Sequence, residues 1–314
     1  MKTKFLALTD LHHEPQVFAH DASAHLEHIM KRAADEEVAF AIQLGDFLHT
    51  PALNRSLADV FGCSSIPVHH VFGNHDTDQE NYEYILEMYR LTCGYYCFDE
   101  GGYRFIILDP NYAVADGELV HYAPHQNRNH HLGEIPADQL EWLRQTIEEA
   151  EGPCIICSHQ SIERSDGIKN RDDVWRIICE ANRKRRHSVI MYINGHYHND
   201  NCTIVNGVCC LDLNSASYYW CDVENSLYPK ELVEKFPISS HCLYYKKPLS
   251  AVITISGTNS IRIDGADGEY VCPISRDELL RVDQRRLCED RISTPYIRSY
   301  SVDLDRNTVV ISDN

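Results

Sequence analysis

Five short segments of this chain carry residue types that can hold a metal ion, and each follows an apolar run. Asp10-Leu11-His12 follows the run 5–9, Gly45-Asp46 follows 40–44, and Gly73-Asn74-His75-Asp76 follows 68–72. Ser158-His159 follows 154–157, and Gly195-His196-Tyr197-His198 follows 189–193, with the acid Asp200 close behind. Apolar runs of this length, bounded by Gly and turn residues, read as buried strands. In α/β sheets, sites form at the carboxyl ends of strands, because the loops there converge on one edge. Carboxylates and imidazoles mixed in this way suit manganese, iron or zinc better than calcium or magnesium, which favour oxygen alone. Each motif also has an ordinary reading. An Asp or Asn after a strand caps the next helix, a Gly serves a turn, and a single His is a surface or hydrogen-bonded residue. What points to a metal centre is the series, five motifs each placed at a strand end.

The elements that must position these residues follow from periodicity. A sixth strand is expected over 103–108, and helices over 25–37, 81–90 and 137–149; in the first, Leu26, Ile29, Met30 and Ala33 share one face. Alternation of short apolar runs with helical patterns is the signature of an α/β protein with buried sheets. Beyond residue 200 the pattern changes to hairpins, most clearly at the Asn206-Gly207 turn between two apolar runs, and again over 251–264 and 301–312. Residues 111–135 show no period and contain His121, His125, His130 and His131; they are expected to be a long loop that covers the site and restricts substrate size. The aromatics Tyr218, Tyr219 and Trp220 fit either the wall of a pocket or the core. With no internal repeat or flexible linker, a single domain over 1–314 is expected. Residues 1–213 would be its motif-bearing core, and 214–314 a C-terminal extension of an irregular segment and hairpins.

The totals exclude several function classes. The chain of 314 residues is 43% hydrophobic and 24% charged, ordinary for a globular protein. A net charge of −18 argues against a nucleic-acid polymer, whose phosphate backbone calls for clustered Lys and Arg. The basic cluster 183–187 reads as a solvated helix end. The first apolar stretch is too short for a signal peptide, and no run approaches the roughly 18 apolar residues of a membrane helix. Thirteen cysteines are scattered singly, and the odd spacing of Cys154 and Cys157 in a strand points them to opposite faces. Reduced thiols and a cytoplasmic location are expected.

The ordered set D-x-H, G-D, G-N-H-D, H and G-H-x-H, from Asp10 to His198, resembles the calcineurin-like metallophosphoesterase superfamily, in its class III phosphodiesterase-like branch. The resemblance implies an α/β fold, a four-layer αββα sandwich of two mixed β-sheets flanked by helices. It also implies two transition-metal ions about 3.5–4 Å apart, manganese or iron with zinc as a further candidate. Asp10, His12 and His198 would hold the first metal, Asn74, His159 and His196 the second, and Asp46 would bridge them. His75 would face the substrate phosphate as a catalytic acid, its ring held by Asp76. The implied function is a dinuclear phosphohydrolase that cleaves a small phosphorylated substrate, a phosphodiester, by in-line attack of a metal-bound hydroxide. A phosphomonoesterase or protein phosphatase remains open. A nuclease is opposed by the acidic balance, and a non-catalytic binding module by the full set of ligands. Two departures from the family's pattern bear on the substrate class: His159 is followed by Gln160-Ser161, and Gly45-Asp46 by Phe-Leu-His49 where an acid is often found.

Overall fold

Strand β1 (Lys2–Leu8) shows how the layers arise. Phe5 and Ala7 point into one apolar core and Leu6 and Leu8 into another, so the strand is buried on both faces and reads as a continuous apolar run. The computed structural model describes residues 1–122, 133–221, 227–272, 274–275, 277–278 and 294–312. In chain order the strands after β1 are β2 (Phe40–Gln43), β3 (Val68–His70), β4 (Tyr96–Glu100) and β5 (Tyr103–Ile107). Next come β6 (Tyr112–Ala115), β7 (Glu118–His121), β8 (Cys154–Cys157), β9 (Val189–Asn194), β10 (Asn201–Val205) and β11 (Val208–Asp212). The last are β12 (Tyr218–Trp220), β13 (Cys242–Tyr244), β14 (Ala251–Ser256), β15 (Ser260–Asp264), β16 (Ala266–Asp267), β17 (Tyr296–Ile297), β18 (Ser299–Asp303) and β19 (Thr308–Ser312).

Among the described residues, two large mixed sheets form the centre. The first runs β19-β18-β15-β14-β1-β2-β3 and the second β10-β11-β9-β8-β5-β4. Between them Phe5 stacks on Phe40 at 5.0 Å and meets Phe105 edge-on at 5.2 Å, with Ile155, Met191 and Ile253 filling the same core. Helices α1 (Ala22–Asp35), α2 (Pro51–Gly62) and α3 (Tyr82–Tyr89) cover the outer face of the first sheet through Leu26, Ile29, Phe61 and Ile85. Helices α4 (Ala137–Glu148) and α5 (Arg171–Lys184) cover the second through Leu143, Ile147, Val174 and Ile178. This is the expected four-layer α/β sandwich. Cys154 and Cys157 fall in different cores, on opposite faces of β8, as their spacing requires.

The C-terminal hairpins lie in the first sheet: β14 pairs antiparallel with β1, so strands from beyond residue 250 sit beside the first strand of the chain. The structure departs from expectation in one segment. Within 111–135, residues 112–121 are not a loop. They form the hairpin β6–β7, turning at Asp116 (φ 52°) and Gly117 (φ 86°), and His121 is held by Asp109 at 2.9 Å. The expected cover over the site falls on His125, His130 and His131, which lie outside the described residues.

His70 on β3 is 5% exposed, and its ring stacks on Tyr89 at 4.1 Å. Burial, with His69 beside it, pushes its pKa down to about 3 from 6.5. Between those values the unfolded chain binds more protons. Stability is therefore full above pH 6.5 and falls as pH drops towards 3, by about 1.4 kcal/mol per pH unit for this residue. Urea unfolding between pH 7 and 5 should show a shallower pH dependence in His70→Phe than in the parent. Equal slopes would mean that the ring is charged inside the fold.

Candidate metal centre

The loops leaving β1 and β2 run side by side, joined by backbone hydrogen bonds from Asp10 N to Gly45 O and from His12 N to Asp46 O, both 3.0 Å. The loops leaving β8 and β9 are joined in the same way, Gly195 N donating to His159 O at 3.1 Å. Glycine is required where these loops meet. A Cβ on Gly195 would lie 1.9 Å from Thr9 Oγ1, and one on Gly73 would lie 2.1 Å from Asp46 N. Five strand ends thus converge on one edge, where six of the expected ligands, Asp10, His12, Asp46, His159, His196 and His198, gather; Asn74 is next to His75, whose backbone N donates to Asp46 Oδ1 at 2.8 Å.

Their ligand atoms form two groups, Asp10 with His12 and His198, and Asp46 with His159 and His196. In the first, His12 Nε2 and His198 Nε2 are 3.3 Å apart, and Asp10 Oδ1 is 3.2 Å from His198 Nε2. In the second, His159 Nε2 is 3.2 Å from His196 Nδ1 and 3.0 Å from Asp46 Oδ2. That same Asp46 oxygen is 3.9 Å from His12 Nε2, so it faces both groups. The rings are aimed from behind: His159 Nδ1 donates to Leu44 O and His198 Nδ1 to Tyr218 O, each at 2.8 Å, which turns Nε2 inward. His12 Nδ1 meets His49 Nε2 at 2.6 Å.

This donor set fits metal ions. Asp10 Oδ1 and Asn74 Oδ1 are buried and accept no hydrogen bond, which is costly unless a cation takes the lone pairs. Burial opposes the charge on Asp10 and Asp46, yet the surrounding histidines hold both carboxyls well below 3.8. Burial likewise opposes a charge on His159, but Asp46 and Asp10 outweigh it and push that imidazole up to about 9. The backbone is strained here too. Asp10, His12, Asp46, His196 and His198 all have φ between 49° and 74°, the left-handed region that side chains rarely enter.

Beside the two groups, His75 Nδ1 donates to Asp78 Oδ2 at 2.5 Å and its ring stacks on His49 at 4.8 Å. This corrects the expected pairing of His75 with Asp76. Residues 75–77 form one tight helical turn, in which side chains three apart eclipse, so residue 78 and not 76 returns to the imidazole. Asp76 points inward. Its Oδ2 accepts from Asp46 N (3.1 Å) and Gly73 N (2.8 Å), and its Oδ1 from Phe47 N (3.1 Å), Leu48 N (3.3 Å) and Tyr89 Oη (3.3 Å). Burial next to Asp46 pushes its pKa up to about 7. Asp76 is the clamp that shapes the Gly45-Asp46 turn.

Asp200, left without a role by sequence, anchors the far end of the His196–His198 loop. Its Oδ2 accepts from Arg298 N, Arg298 Nε and Tyr300 Oη at 3.1, 2.7 and 3.0 Å. Tyr218 is buried and packs its ring on His198 at 4.8 Å and on His12 at 5.1 Å, while Tyr219 lies in the core between the sheets. Only Trp220 of the three aromatics is half-buried, stacked on His241 at 6.0 Å. Tyr197 lies under the Arg164 guanidinium at 4.1 Å and donates through Oη to Asp166 O at 3.2 Å.

Two mixed sheets thus gather Asp and His side chains at one edge into a site suited to metal ions. The family model for calcineurin-like phosphoesterases matches residues 3–200, and the chain belongs to that family. It is 23% identical over 258 residues, 72% of this chain and 85% of the other, to a probable cyclic nucleotide phosphodiesterase of Psychrobacter arcticus. A dimetal phosphatase from Danio rerio shares the fold at a TM-score of 0.56 and 16% identity, over 86% of this chain and 98% of that one. A purple acid phosphatase from yellow lupin (Lupinus luteus) seeds does so at 0.52 and 12% identity, over 89% of this chain and 55% of that one. Family and side-chain groups together indicate a dinuclear metal centre. No helix among the described residues is long and apolar enough to cross a membrane.

The two neighbouring acids should separate cleanly on mutation. Asp76→Ala leaves five donors without their acceptor, at about 1–3 kcal/mol for each one that stays buried. Urea unfolding should show a loss of several kcal/mol, and elemental analysis a loss of metal. Asp78→Ala, at the rim, should cost far less and keep its metal. Equal losses in the two variants would refute the clamp.

Proposed function

We propose that the chain is a dinuclear phosphodiesterase acting on a small phosphorylated substrate. The observation that carries this reading is the meeting of two Asp/His groups across Asp46, with the His75–Asp78 pair beside them. Asp10, His12 and His198 would hold one ion, Asn74, His159 and His196 the other, and Asp46 would touch both. Mixed oxygen and imidazole donors favour manganese or iron, with zinc also fitting. When bound, such a pair of ions lowers the pKa of a water and neutralises phosphoryl oxygens.

The protein's own share is orientation and proton transfer. Asp78 fixes the His75 ring through Nδ1, so that Nε2 is the nitrogen a leaving oxygen would meet. Burial disfavours the imidazolium, but Asp46 and Asp78 overcome it and push its pKa up to about 9, which keeps a proton available at neutral pH. The preference for a diester is supported by the name of the Psychrobacter arcticus relative. A net charge of −18 speaks against a polymeric nucleic acid as substrate.

Elemental analysis of the metal-supplemented protein should find two transition-metal ions per chain, and exhaustive chelation should abolish activity. Fewer than one ion, or activity that survives chelation, would overturn the dinuclear reading. Bis-p-nitrophenyl phosphate should be hydrolysed; turnover of monoesters alone would exclude the diester preference. His75→Ala should keep both metals and slow an alkyl ester by about 10²–10⁴-fold, the usual share of a general acid. The loss on a nitrophenyl ester should be smaller, because that leaving group needs no proton. An equal loss on both esters would take the acid role from His75.

A further inference from the structure

The hairpin that leaves the metal loop carries two sulfur atoms in contact. Cys202 Sγ on β10 and Cys209 Sγ on β11 are 3.7 Å apart. The register pairs Cys202 with Leu211 and Ile204 with Cys209, so the two cysteines are diagonal neighbours on one face of the ribbon. Cys209 is fully buried, whereas Cys202 is half-buried. Cys210, next in sequence, points to the opposite face and packs in the core under α4 and α5.

We propose that Cys202 and Cys209 are an oxidisable dithiol that a hydroperoxide converts to a disulfide. The Cys202 sulfur attacks the peroxide, the O–O bond breaks, and Cys202 becomes a sulfenic acid with release of an alcohol or water. The Cys209 sulfur then attacks the Cys202 sulfur. The S–S bond forms, and the hydroxyl leaves as water with the Cys209 proton. Two electrons pass to the peroxide and the protein loses two hydrogens. Closing the gap from 3.7 Å to the roughly 2.0 Å of a disulfide brings diagonal neighbours together, which takes side-chain rotation and a small approach of the two strands. The contact with Cys202 and burial both push the Cys209 thiol upwards, so the inner sulfur keeps its own proton. The outer sulfur is then the one that meets the oxidant.

The test is hydrogen peroxide treatment of the full chain as purified, capping of remaining thiols with N-ethylmaleimide, and mass spectrometry of the peptide spanning residues 202–210. That peptide should emerge two hydrogens lighter with one capped cysteine, and dithiothreitol should reverse the change. Cys202→Ser and Cys209→Ser should each abolish the product. Cys210→Ser should retain it, as should Cys63→Ser and Cys97→Ser, which remove exposed thiols elsewhere. Recovery of Cys202 capped, oxidised to sulfinic acid, or joined to any cysteine other than Cys209 would overturn the proposal.

Discussion

Two ionised carboxylates almost without water, Asp10 at 0% and Asp46 at 2% exposure, govern this structure. Such groups are tolerated in a protein interior only when positive charge and hydrogen-bond donors surround them closely. The imidazoles of His12, His159 and His198 are brought to them from strands far apart in sequence, each aimed through its other ring nitrogen. The loops are in turn welded to one another by main-chain hydrogen bonds, and Asp76 gathers the amide groups of Asp46, Phe47 and Leu48 together with that of Gly73. Left-handed backbone at five of the site residues is the cost of this concentration. It is sustained because the strands below are locked between three apolar layers.

The motifs and their placement at strand ends were legible in the sequence for a physical reason. A strand covered on both faces must be apolar throughout, and a polar residue directly after it is then conspicuous. That held for β1, β2, β8 and β9. Contacts made by short-range geometry were less legible. Whether residue 76 or 78 returns to His75 depends on the pitch of a single turn, which composition does not encode. Other features were present in the sequence and not extracted. Asp116-Gly117 is a hairpin turn signal inside a stretch that otherwise lacks period, and Val174, Ile177, Ile178 and Ala181 trace the buried face of α5.

What no local reading could supply was the contribution of the C-terminal third. Asp200 and Arg298 are 98 residues apart, yet their hydrogen bonds tie the loop bearing His196 and His198 to the strand region before β18. Ser215 Oγ donates to Asp10 O at 2.9 Å, and Ser217 Oγ donates to Leu11 O at the same length. The segment that follows β11 is therefore the outer wall of the D-x-H loop. The family match ends at residue 200, but the support of its site extends well past that point.

The pairing of β1 with β14 also dictates an order of events during synthesis. Lys2 lies opposite Ser256, so one side of β1 has no partner until about 250 further residues have been made. At bacterial or eukaryotic rates of roughly 5–20 residues per second, that interval is on the order of tens of seconds. Throughout it, an apolar strand with open N–H and C=O groups is exposed to neighbouring nascent chains. The parallel partner β2 arrives early and closes the other side, but a parallel pair closes slowly because its loop entropy is lost before contacts form. The time taken to translate up to Ser256 thus sets how long one edge of β1 stays unpaired.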